Sequence, residues 1–265
     1  MGNSLDNSPT KGIILKYLIN KAVSYLEKKG YGITHPSQYK SDMEKEFLEI
    51  WENTKQYTMI SVERGYNIYK SVEYVVKNNI PGDFVECGVW KGGACMIMAA
   101  SLLKLGKQDR KIILYDTFTG MTEPDDNDCI SWTGKNMKER WNNSKDNKGN
   151  NLWAAGIEEV KKNMRSTGYS EKKIEYNIGD VCITLDKKKP QLVSLLRLDT
   201  DWYESTKKEL EALYPLLNKS GVLIIDDYGH FSGAKKAVNE YFSDKNRAKI
   251  YLSRIDYTGR VGIKL

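Results

Sequence analysis

Between residues 83 and 226 the chain repeats one pattern, a short apolar run that closes on an acidic side chain. "DFVEC" (83–87) carries Glu86, "KIILYD" (111–116) ends at Asp116, and "KIEYNIGD" (173–180) at Asp180. "LVSLLRLD" (192–199) ends at Asp199 and "GVLIID" (221–226) at Asp226. Runs of this length without polar alternation read as strands buried on both faces. Between most of them lie stretches with helical spacing: one up to about Leu105, then 204–217 and 233–242. Strands alternating with helices predict a doubly wound, mostly parallel α/β sheet. "AKIYLSRI" and "GRVGIKL" predict a final hairpin that brings the sheet to seven strands. Ligands of such sheets collect outside the carboxyl ends of the strands, so the five acids are expected on one rim.

Upstream of residue 80 the period is helical. Ile13, Ile14, Tyr17, Leu18, Tyr25 and Leu26 predict a helix over 11–29 that Gly30 ends. Ser41 with Glu44 three residues on is a capping-box signature for a second helix. A third is predicted from Ser61 to Asn79, stopped by Pro81-Gly82. Residues 1–80 are thus expected to form an N-terminal helical extension and 81–265 the α/β domain. The helices have apolar faces with no sheet to cover, which predicts a homo-oligomer. Residues 124–155 break the alternation. They are polar, rich in Asp, Asn and Lys, yet contain Trp132, Trp141 and Trp153, and are expected to be a lid insertion over a ligand.

Composition narrows the class. A hydrophobic content of 40% with 29% charged residues suits a soluble globular protein, and no apolar run approaches the roughly 18–20 residues of a membrane span. The N-terminus shows no secretion pattern, and Asp6 stands where a myristoylation signal needs Ser or Thr, so a cytoplasmic location is expected. Four cysteines (Cys87, Cys95, Cys129 and Cys182) form no CxxC pair, which argues against a zinc ribbon or a disulfide framework. The net charge of +6 permits an acidic partner such as a nucleotide-linked substrate. The lysines come in short runs mixed with acids, so no nucleic-acid stripe is expected.

Two places carry candidate chemistry. "ECGVWKGG" (86–93) follows a strand and opens a helix, where glycines let a backbone approach a ligand closely. It lacks the G-x-G-x-x-G of a nicotinamide site and the G-K-[ST] of a P-loop. Glu86 discourages a phosphate and suits a cationic ligand, while Asp116 is placed for a ribose diol. S-adenosylmethionine, with a ribose, an ammonium group and no phosphate, meets both conditions. The second place is "GVLIIDDYGH" (221–230), which delivers the adjacent Asp226 and Asp227 to a strand end. Like charges there repel and are expensive to desolvate, unless a cation lies between them. Of the two histidines, His230 follows the pair closely enough to meet a substrate or a nearby water, and His35 before Pro36 reads as structural.

"GDFVECGVWKGG", "LYDTFTGM", "LLRLDTDWYEST", "ELEALYP" and "GVLIIDDYGH" resemble, in order over roughly residues 50–265, the macrocin O-methyltransferase family, and "RIDYTGRVGIKL" fits it as well. The resemblance implies a class I methyltransferase (Rossmann-like) fold and magnesium-dependent methyl transfer from S-adenosylmethionine to a sugar hydroxyl. It places Mg2+ on Asp199, Asp226 and Asp227. Asp201 becomes the candidate general base, with Asp199 and His230 as other candidates for the proton. Around the cofactor it implies Glu86 and Gly88 at the methionine end, Asp116 and Thr117 at the ribose, and Asp180 at the adenine amino group. Trp90, Phe118, Gly179 and Arg197 join them, and Thr58 and Met59 close over the cofactor. The expected acceptor is a small sugar-containing molecule, a natural product or a nucleotide- or lipid-linked precursor of a surface polysaccharide. A catechol-type O-methyltransferase, which shares the fold, is the alternative.

Overall fold

A computed structural model describes residues 9–29, 40–146, 149–244 and 250–265. Residues 1–44 and 45–265 form separate compact units. In the first, helix α1 (Pro9–Lys28) exposes Tyr17, Leu18, Ile19, Tyr25 and Leu26. Gly30, His35 and Pro36, and the side chains of Ile13 and Ile14, lie outside the described residues.

The second unit begins earlier than the expected boundary at residue 80. Helix α2 starts at Lys45, not Ser41, and runs to Thr54. It buries Phe47, Ile50 and Trp51. Helix α3 (Val62–Lys77) has Ser61 as its N-cap, whose hydroxyl accepts from the Arg64 N–H at 3.2 Å. Its buried positions, Val62, Arg64, Gly65, Ile68, Tyr69, Ser71, Val72 and Val75, recur at helical spacing. These two helices pack on α4 (Gly93–Lys104), and α3 also packs on the sheet. They belong to the α/β body and not to an extension.

The strands are β1 (Asp83–Cys87), β2 (Ile112–Asp116), β5 (Ile174–Ile178), β6 (Val193–Leu198), β7 (Leu217–Ile225), β8 (Ser253–Arg254) and β9 (Arg260–Ile263). They lie in the order β5-β2-β1-β6-β7-β9-β8. The first five are parallel and the closing β8–β9 hairpin is antiparallel, giving the seven-stranded, mostly parallel sheet expected. β1 and β6 are buried at nearly every position because helices cover both faces. The chain leaves β1 toward β2 on one side and reaches β6 on the other, so the ligand crevice falls at the carboxyl end of β1.

The insertion has a small core of its own. It contains helix α5 (Lys138–Asn143) and a two-stranded ribbon of β3 (Lys145–Asp146) and β4 (Gly149–Asn150). Met137, Trp141 and Leu152 are buried with Trp202, Phe231 and Ala234 of the main body. Asp128 anchors it, accepting from Tyr203 N at 2.8 Å and from Asp125 N at 2.8 Å. Tyr203 opens helix α8 (Tyr203–Leu213), so the insertion caps that helix. Burial pushes the Asp128 carboxyl up to about 6. Among the described residues no helix is long and apolar enough to cross a membrane.

Candidate active site

One cavity lies at the carboxyl rim of the sheet, and Glu86, Asp116, Asp180, Asp199 and Asp226 all line it. Strand register brings the acids together. Leu198 pairs with Ile225, so the next residues, Asp199 and Asp226, leave neighbouring strands side by side. Asp226 N donates to Leu198 O at 2.9 Å and Asp199 N to Cys87 O at 2.9 Å, fixing both strand ends. Asp199, Asp226 and Asp227 each offer a carboxylate oxygen, all within 4.8 Å of one another. Asp227 Oδ2 is buried and has no hydrogen-bond partner. An orphaned carboxylate oxygen beside two further carboxylates is a donor set that fits a hard divalent cation.

The neutralising charges come from two arginines. Register places Arg197 next to Glu86 on adjacent strands. The Arg197 guanidinium bonds Glu86, Asp199 at 2.7 Å, and Asp226. Arg197, expected at the cofactor, and Glu86, expected at its methionine end, both line the cavity and are also paired with each other. The second Glu86 oxygen accepts from Cys95 Sγ at 2.8 Å. The other arginine, Arg64, donates through Nη1 to Asp226 and through Nε to Asp256 Oδ2 at 3.0 Å. Asp256 also accepts from Ser61 Oγ, Thr258 N and Gly259 N. Burial alone would raise the Asp256 carboxyl, but these donors hold it below its ordinary value. Burial likewise opposes the charge on Arg64, and Asp226 and Asp256 overcome that and raise its pKa.

Asp199 and Asp227 remain well above the carboxylate range. Desolvation is the main cause, and the neighbouring aspartates add to it. Asp201 is raised too, by desolvation first, with the charges of Asp199 and Asp226 adding to it. It sits at φ +68°, a left-handed conformation that is uncommon without glycine. Beneath this turn Thr200 Oγ1 donates to Glu209 Oε1 at 2.8 Å. Glu209 is fully buried, its Oε2 has no partner, and burial pushes its carboxyl up to about 8.

The glycine loop is shaped by the same strand ends. Gly88 has φ +78°, and a Cβ there would stand 2.0 Å from Asp199 O. Gly88→Ala should therefore destabilise the fold by about 3 kcal/mol or more, by combined strain and clash. Urea melts check the stability, and calorimetry with S-adenosylhomocysteine should show cofactor binding lost as well. Gly179, Trp90, Thr117, Thr58 and Met59 line the cavity. Asp116 does also, but its carboxylate already accepts from Val89 N (2.7 Å), Trp90 N (3.2 Å) and Phe118 N (2.7 Å). It ties the two loops together at the cavity wall. Asp180 caps helix α7 (Val181–Lys187), accepting from Cys182 N at 2.8 Å. Phe118 does not line the cavity. It is buried, with its ring edge-on to Tyr176, and only its N–H serves the site.

His230 lines the outer part of the cavity, with Nδ1 3.0 Å from the Tyr257 hydroxyl and Trp132 edge-on to its ring at 4.8 Å. Burial, then the positive charges of Arg64 and Arg140, lower its pKa and favour the neutral ring. Trp153 lines the cavity nearby, against Trp202 and Phe231. Sequence reasoning missed Arg64 and Tyr257, and placed Trp153 only generally, in the insertion. A signal existed for Arg64, an arginine in phase with Ile68, Ser71 and Val75 on the apolar face of α3.

A cavity at the β1 switch point, a glycine cradle that no Cβ can enter, and acids on adjacent strand ends define a class I methyltransferase. Comparison with known proteins agrees: the family described as "Macrocin-O-methyltransferase (TylF)" matches residues 13–261. Demethyldecarbamoylnovobiocin O-methyltransferase of Streptomyces niveus is 33% identical over 205 residues, 77% of this chain and 74% of that one. Mycinamicin III 3''-O-methyltransferase of Micromonospora griseorubida is 29% identical over 206 residues, 78% of each. The solved O-methyltransferase NovP superposes with a TM-score of 0.68 at 33% identity, covering 78% of this chain and 82% of that one. The chain belongs to the macrocin O-methyltransferase family and is an S-adenosylmethionine-dependent O-methyltransferase.

Proposed function

We propose that the protein methylates a hydroxyl of a sugar, borne by a natural product or a surface-polysaccharide precursor, and that it needs a divalent cation, magnesium. The observation that carries the metal is the orphaned Asp227 Oδ2 beside Asp199 and Asp226, in the cavity that holds the glycine loop. Asp199, Asp226 and Asp227 would hold the ion. When bound, it supplies charge that lowers the pKa of a sugar hydroxyl, otherwise a very weak acid.

The chain's own groups do the rest. Asp201, in the turn just beyond Asp199 and on the wall of the same cavity, would in its deprotonated form take the hydroxyl proton as the methyl group moves. Arg64 and Arg197 pair with Asp226 and orient it. Trp153, Phe231 and Tyr257 give the outer cavity apolar and edge-polar walls, which suit the faces and hydroxyls of a sugar ring. Gly179 and Asp180 line the cavity's far side, beyond Asp116, where the adenosine would lie. A homo-oligomer and a cytoplasmic location belong to the same reading. The exposed apolar residues of α1 support the former.

A panel of nucleotide-linked, lipid-linked and free sugars, with simple catechols alongside, tests this by transfer of labelled methyl from S-adenosylmethionine. Methylation of a sugar that stops in excess chelator and returns with magnesium is expected. Full activity in chelator would remove the metal from the mechanism. A preference for catechols would replace the acceptor class.

A further inference from the structure

The amino-acid end of S-adenosylmethionine is a zwitterion, so the cavity must answer a carboxylate as well as an ammonium group. Acids line the cavity in number, whereas its only cationic residue types among those described are Arg64, Arg197 and His230. Arg197 spends both terminal nitrogens on Glu86, Asp199 and Asp226 and keeps only a buried, unpartnered Nε. His230 is held toward its neutral form. Arg64 differs from both: Nη1 serves Asp226 and Nε serves Asp256, while Nη2 donates to no protein group among the described residues. The residue is only 8% exposed and lines the cavity, so Nη2 is a donor left for a ligand there.

Position selects the ligand. Thr58, Met59 and Ile60, just ahead of α3, line the cavity together with Arg64. This segment crosses the start of α4 so closely that a Cβ on Gly93 would stand 2.5 Å from Tyr57 O and 2.6 Å from Thr58 Cβ. Gly93 in turn closes the loop that begins at Gly88. Arg64 and the glycine loop therefore bound one end of the cavity, opposite the Gly179–Asp180 end suited to adenosine.

We propose that Arg64 receives the methionine carboxylate of the cofactor on Nη2 while its other two nitrogens hold Asp226 and Asp256. The proposal rests on the cofactor occupying this cavity. A guanidinium is suited to the double task, because its donors form a rigid planar fork. The same side chain then touches the cofactor and one of the candidate metal acids. Cofactor binding and the geometry of Asp226 become linked through one rigid group.

A thermodynamic cycle tests the contact without reading turnover. Calorimetry compares S-adenosylhomocysteine with its carboxamide, in which the carboxylate is neutral, on the wild type and on Arg64→Gln. The wild type should bind the carboxamide at least about thirtyfold more weakly, and Arg64→Gln should bind both ligands alike. 5′-Methylthioadenosine, which lacks the amino-acid end, should bind both proteins within about threefold and so shows that the variant site is intact. An equal carboxamide penalty in the two proteins overturns the assignment. If Arg64→Gln does not fold, the wild type still decides, since a penalty there below about threefold overturns it and Arg64→Lys completes the cycle. Failure of the wild type to bind S-adenosylhomocysteine at all would count against the cofactor's place in this cavity instead.

Discussion

Asp201→Asn should lower kcat by about a hundredfold or more while leaving magnesium affinity within a few-fold of wild type. The amide keeps the shape at φ +68° but cannot accept a proton. Asp227→Asn should part from it in two measurements. Its activity should fall as far at low magnesium yet recover partly as the ion is raised, because it loses a ligand and not the base. Its metal-free form should also melt higher than wild type, by about 1–3 kcal/mol, since a buried charge crowded by Asp201 and Asp226 is gone. Magnesium titrations of rate at saturating cofactor, with melts in chelator, separate the pair. If both variants methylate at the normal rate in chelator, the acids form only a turn.

The second large effect lies under the active-site turn. Glu209 titrates near 8 in the folded protein against an ordinary 4.5, because it is buried with one oxygen unpartnered. A raised carboxyl leaves stability intact below pH 4.5 and removes it progressively as pH rises from 4.5 to 8, where the folded protein must bury the charge. Glu209→Gln cannot ionise, so its stability should be flat over that window. By pH 8 the variant should exceed wild type by about 2–5 kcal/mol. Urea melts between pH 5 and 9 check this. Parallel curves would show that Glu209 does not titrate in the window. Because Glu209 accepts from Thr200, between Asp199 and Asp201, the ionised form also loads the turn that carries the candidate base.

Much of this site was legible because parallel strands write themselves plainly. An apolar run such as "LVSLLRL" has one use in a protein of this size, and an acid just beyond it falls on the ligand rim. What could not be read were the relations between strands. Nothing near Glu86 announces that register will set it beside Arg197, so that an anion on the cavity wall is also a partner of the scaffold. Phe118 failed for a different reason. A residue adjacent to the site can contribute its backbone and turn its ring away, and sequence spacing does not distinguish the two. The start of α2 at Lys45 shows a capping signature yielding to packing, since the helix begins where Phe47 can be buried. Arg64 was visible as an anomaly, a charge in phase with apolar residues, but its partners Asp226 and Asp256 are remote in sequence.

Ser61 and Arg64 meet Asp256 across 195 and 192 residues of chain. On the ribosome, the strands that deliver Asp199 and Asp226 emerge before the turn at 256–259 that steadies Arg64. Until that turn docks, the nascent protein holds its acids together with one of their two counter-charges unsupported. The acidic centre is thus among the last features a growing chain can complete, and an early-folded sheet waits on its C-terminal hairpin to become a binding site. Pulse-labelled hydrogen exchange during refolding would see this as a delay, with β1 and β6 protected first and the N-terminal turn of α3 protected only together with residues 256–259.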